Sequence, residues 1–109
     1  MSPFDVTITE HGGTVHVSLR GELDISSAPR LQDDLARVEA DEPERIVLDL
    51  SGLDFMDSTG LRLLIGADSR ARNAGRRLIV IQGNEMVQRV LRVTRLDERL
   101  EIVSDAPPL

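Results

Sequence analysis

The stretch from Arg45 to Leu50 limits the fold more than any other part of the chain. Ile46-Val47-Leu48 is unbroken apolar sequence, and Leu50 follows after a single Asp. Such a run suits a β-strand covered on both faces, an interior strand of an α/β sheet. The sequence then changes character. Ser51 to Asp57 reads as a short acidic loop that delivers Ser58 to the start of a helix ending near Ala74. Leu61, Leu64, Ile65, Ala67, Ala71 and Ala74 recur at helical spacing and form its expected inner stripe. Arg62, Ser69, Arg70 and Arg72 face out, and Gly75 suits the C-cap.

The flanking sequence supplies partners for that unit. Val6 and Ile8 alternate with polar residues, as do Val15, Val17 and Leu19, with His11-Gly12-Gly13 between them. This is a β-hairpin pattern. Gly21-Glu22-Leu23-Asp24 is expected to leave the sheet. Ser26 or Ser27 can cap a helix that has Pro29 in its first turn. Leu31, Leu35 and Val38 form its buried face, with Asp33, Asp34 and Arg37 off the stripe. Leu78 to Ile81 reads as another strand, and Gly83-Asn84 opens a third helix with Met86, Val87, Val90 and Leu91 inward. Leu100 to Val103 completes the pattern as a last short strand. The expected fold is α/β: a mixed sheet of four to five strands, an N-terminal hairpin followed by αβ units, with helices packed on it. One domain spans 1–109, with 105–109 as a tail without claim to order.

Composition excludes several kinds of chemistry. The chain has no Cys, which removes disulfides, thiolate catalysis and zinc–thiolate sites. It has no Lys, since all 13 basic residues are Arg. A phosphate-binding P-loop, a kinase and a Schiff-base enzyme each need that amine. A net charge of −6 opposes nucleic-acid binding and suits a basic protein partner. No apolar run spans a membrane and the N-terminus has no signal-like pattern, so the expectation is a cytoplasmic protein without membrane or nucleic-acid partners. The core must be aliphatic, because Phe4 and Phe55 are the only aromatic residues.

Asp57, Ser58 and Thr59 are each competent to begin the central helix. A hydroxyl there sits near unpaired backbone donors and a positive dipole end, which suits an acceptor of a negative group. Phe55 and Met56 are large apolar residues in an acidic stretch; they must pack beneath it or meet a partner. The segment Leu48-Asp49-Leu50-Ser51-Gly52-Leu53-Asp54-Phe55-Met56-Asp57-Ser58-Thr59-Gly60-Leu61 resembles the signature of bacterial anti-sigma factor antagonists of the STAS domain family. Gly21-Glu22-Leu23-Asp24, with Ala28 and Leu31, resembles that family's second marked segment. The resemblance implies partner switching. The unmodified protein would bind an anti-sigma factor that is also a serine kinase and so release a sigma factor. Phosphorylation of Ser58 would end binding, and a metal-dependent serine/threonine phosphatase would restore it. It also implies a partner-binding set of Asp24, Asp57, Ser58, Thr59 and Gly60, to which Met56 and Arg62, the latter one turn after Ser58, are added from the sequence. No catalytic residue, cofactor or metal is implied.

Other readings fit less of the sequence. His11 and His16 lie far along the chain from Ser58, so a Ser-His-Asp set would need the fold to bring one of them there. Asp54 and Asp57 are too few ligands for a divalent metal. A phospho-receiver domain using Asp49 needs a late Lys that is absent. STAS-like modules also serve as unphosphorylated subunits of transporters or larger signalling assemblies, and that alternative stays open at this stage.

Overall fold

The computed structural model describes residues 3–105. Strands β1 (Asp5–His11) and β2 (Thr14–Leu23) form an antiparallel hairpin. Its two-residue turn, Gly12-Gly13, needs positive φ at both positions, 48° and 85°, which is why glycines stand there. Helix α1 (Ala28–Ala40) leads to β3 (Arg45–Met56), α2 (Ser58–Ala74) to β4 (Arg77–Ile81), and α3 (Glu85–Val93) through a short 3₁₀ turn to β5 (Glu101–Val103). The sheet order is β1-β2-β3-β4-β5, and every pair after the hairpin is parallel.

Crossovers of one hand that always step in the same direction lay their helices on the same face of a sheet. The core agrees. Val17, Leu19, Ile46, Leu48, Leu50 and Val80 from the strands join Leu31 and Leu35 of α1, Leu64 and Ala71 of α2, and Val87 and Leu91 of α3 in one cluster. Val47, Ile79 and Ile81 point to the opposite side and form a second, small cluster with Val103. The middle strand is therefore apolar on both faces, as its sequence requires.

Several expectations need correction. β2 does not leave the sheet at Gly21; it pairs as far as Leu23, opposite Met56. Ser51 to Met56 is not a loop but the second half of β3. Asp34, expected off the stripe, is only 6% exposed and lies against Arg30 and Arg37, whose guanidinium groups offset the cost of burying its charge. Ile65 and Met86, expected inward, are 40% and 39% exposed, and Ala74 is exposed as well. His16, expected on a solvated strand face, is half-buried, and its Nε2 is enclosed with no hydrogen-bond partner among the described residues. Apart from Asp105, the expected tail lies outside the described residues.

Candidate functional site

The site is assembled where the C-terminal ends of β2 and β3 meet the starts of α1 and α2. Leu23 and Met56 are the last paired residues of the two strands. Immediately afterwards the N–H of Asp57 donates to the carbonyl of Leu23 at 3.3 Å, so the pairing extends to the first residue before α2. Asp57 is extended and caps the helix. Its Oδ1 accepts from the N–H of Thr59 at 2.9 Å and of Gly60 at 3.4 Å, and its carbonyl accepts from Leu61 N–H at 3.1 Å. Of the three residues able to begin the helix, Asp57 is the one that does.

Capping by Asp57 releases Ser58. Its side chain is exposed and takes part in no hydrogen bond among the described residues. Thr59 beside it is half-buried. The first turn lies flat on the strand ends because Gly60 has no side chain. A Cβ there would come within 2.5 Å of Met56 Cγ and 3.0 Å of Leu23 Cδ2. Met56 is the residue to reassign: at 2% exposure it is the floor beneath Gly60 and offers a partner no side-chain surface. Phe55 is half-buried and Asp54 is exposed at the same strand end.

Asp24 belongs to the neighbouring turn, Asp24 to Ser27. Its Oδ1 accepts from Ser26 N–H at 3.0 Å, Ser26 Oγ at 2.7 Å and Ser27 N–H at 3.2 Å. These bonds hold the carboxyl below its ordinary range: the Ser26 hydroxyl contributes most, desolvation opposes it, and the two amides add to it. Ser27 Oγ accepts from Asp24 N–H at 2.9 Å and donates to Glu22 carbonyl at 2.8 Å. The turn is thus tied from both ends, and it presents Ile25 outward, 79% exposed. Sequence reasoning missed Ser27 as a lock and Ile25 as a tip. The Asp-x-Ser-Ser pattern, which favours a side chain bonding to the backbone two or three residues on, was the available signal.

Arg62 is exposed, one turn above Ser58 on α2. The other two arginines of α2 are engaged, Arg70 with Glu39 and Arg72 with Asp68. Arg62 forms no ion pair among the described residues. The fold therefore brings Asp24, Asp57, Ser58, Thr59, Gly60 and Arg62 to one end of the sheet and places Met56 beneath them.

The fold takes the histidines elsewhere. His16 pairs with Val47 and His11 ends β1 at the hairpin turn, both at the far end of the parallel strands from Met56. Ser58 consequently has no imidazole to activate it, and its chemistry depends on whatever docks against it. Asp49 accepts from the N–H of Ser51 at 2.8 Å, a local bond within β3 where its register shifts against β2. Among the described residues no three His, Asp or Glu side chains converge as metal ligands, and no helix is long and apolar enough to cross a membrane.

Comparison with known proteins places this geometry in context. Residues 5–106 match the model of the STAS domain. The anti-sigma-F factor antagonist RsfB of Mycobacterium tuberculosis is 29% identical over 99 residues, covering 91% of this chain and 80% of the relative. The crystal structure of an anti-sigma factor antagonist from Mycobacterium paratuberculosis superposes with a TM-score of 0.82 at 27% identity, covering 94% of this chain and 87% of that one. The anti-sigma factor antagonist SpoIIAA in its unphosphorylated form shares the fold, with a TM-score of 0.76 at 21% identity over 94% of this chain and 90% of that one.

Proposed function

The chain belongs to the STAS domain family, and on that premise we propose that it is an anti-sigma factor antagonist that switches partners through Ser58. Unphosphorylated, it binds an anti-sigma factor with serine kinase activity and so frees a sigma factor. The kinase phosphorylates Ser58 and the complex separates; a serine/threonine phosphatase restores the starting state. It acts as a regulatory binding protein in the cytoplasm. The observation that carries this reading is the pair formed by Asp57 and Ser58: the carboxylate does the capping, and the adjacent hydroxyl is exposed and unengaged.

Electrostatics supplies the switch. A phosphoryl group adds about −1.5 to −2 charges. Asp57 adjoins Ser58 and Asp54 lies at the same strand end, so at an interface the new charge adds to like charges. Two unit charges ~4 Å apart interact by about 4 kcal/mol at an effective dielectric near 20. Losing about 3 kcal/mol weakens a complex more than a hundredfold. Asp24, Asp57 and Thr59 shape the partner-facing surface, and the buried Gly60 and Met56 support it from below.

The test is calorimetric titration of Ser58→Ala and Ser58→Asp against the cognate anti-sigma kinase. The Ala chain should bind and resist inactivation by ATP, while the Asp chain stays folded and loses at least a hundredfold in affinity. Equal affinities would remove the mechanism. Intact mass after incubation of the parent chain with kinase and ATP should show one phosphoryl addition, absent from Ser58→Ala.

A further inference from the structure

The amide donors at the start of α2 are largely spent. Thr59 and Gly60 donate to Asp57 Oδ1, and Leu61 donates to Asp57 carbonyl. Only the N–H of Ser58 itself is left over in that turn among the described residues. A phosphoryl group on Ser58 cannot rely on a ring of free amides, and the carboxylate of Asp57 adjoins it. At the same end of the sheet, Asp54 near the end of β3 and Asp24 in the turn before α1 add further negative charge. A dianion placed there needs a cation.

Arg62 is that cation. Residues four apart on a helix have Cβ atoms about 5–6 Å from each other, within easy reach of a guanidinium. Arg62 is exposed and uncommitted, unlike Arg70 and Arg72. Arginine also offers paired N–H donors that match phosphate oxygens. We propose that Arg62 is a phosphate clasp: its guanidinium pairs with the phosphoryl group on Ser58 across one turn of α2 and keeps the modified chain folded despite its acidic surroundings. The inference rests on Ser58 being the acceptor and adds what the chain does with the group afterwards. In the unmodified chain the same guanidinium is free for a partner, so modification also withdraws a positive contact from the docking surface.

The experiment needs no kinase. Phosphoserine is installed at position 58 during synthesis in the parent, Arg62→Gln and Arg62→Lys chains, and the phosphorus resonance is titrated by NMR. A cation beside the group favours the dianion, so the second pKa, about 6 for phosphoserine, should be lower in the parent. The expected difference from Arg62→Gln is about 0.5 unit at low salt, shrinking in 1 M salt, with Arg62→Lys recovering most of it. Because Arg62 lowers the folded value relative to the Gln chain, its contribution to stability is present above pH ~6 and fades as pH falls through the folded pKa. Phosphorylated Arg62→Gln should therefore melt about 3 °C below the phosphorylated parent at pH 7.5, a gap that closes near pH 5. Identical titration midpoints in folded parent and Gln chains would overturn the clasp. Failure of the switch itself would register separately, as absence of phosphoryl transfer to Ser58 by the kinase.

Discussion

Ser27 and Ser58 both stand at a helix start, one just before α1 and one opening α2, at the same end of the sheet. Their hydroxyls have opposite fates. Ser27 Oγ accepts from Asp24 N–H and donates to Glu22 carbonyl, locking the strand end to the turn. Ser58 Oγ bonds to nothing among the described residues, because the Asp before it has taken over the helix cap. In the α1 turn the carboxylate of Asp24 and the hydroxyl of Ser27 share one bonding network. At α2 the carboxylate works alone. A serine is left available to an outside reagent when its neighbour meets the backbone's needs.

Substitutions test that contrast. Asp57→Ala should have the largest effect, about 1–2 kcal/mol of stability in denaturant unfolding, since it removes the cap of the longest helix. Ser27→Ala follows at about 1 kcal/mol, having left the Asp24 N–H and Glu22 carbonyl without their partner. Ser58→Ala should stay within about 0.5 kcal/mol of the parent. If Ser58→Ala costs as much as Ser27→Ala in the same unfolding series, the two hydroxyls are not different and the contrast fails. The smallest effect is local. The Asp24 carboxyl is held below its ordinary value of 3.8, so its support for the turn is complete above that value and lost as pH falls through the lower folded one. Amide NMR shifts of Ser26 and Ser27 should accordingly titrate with a midpoint under 3.8.

Much of the architecture could be read directly. The hairpin, the order of elements and the span of α2 from Ser58 to Ala74 follow from alternation, glycine turns and helical spacing. The second half of β3 could not, for an identifiable reason. Ser18 to Arg20 on β2 is matched by Asp49 to Gly52 on β3, and Gly21 to Glu22 by Leu53 to Phe55, so β3 gains one residue at each place. Each bulge resets the inward–outward alternation. Leu50, Leu53 and Met56 are all buried, yet they fall three apart, a spacing that breaks the two-residue alternation of a strand. That Asp57, Ser58, Thr59 and Gly60 stand together at a helix start was legible because they are consecutive. The floor role of Met56 was not, because it depends on Gly60 coming down on it from the next element. Ile65 and Met86 failed for a related reason: helical periodicity defines a stripe but not its width, and both lie at the margin that the neighbouring helices leave uncovered.

The arrangement of strands in the same order as the chain has a consequence for how the molecule is made. As translation proceeds, each new strand finds its neighbour already synthesised and never waits for a later segment to be inserted between them. By the time Ala74 has been added, both strands and both helices that frame Ser58 exist. The end of the sheet that carries Ser58 is therefore fully synthesised before the last two strands, which add only at the far edge.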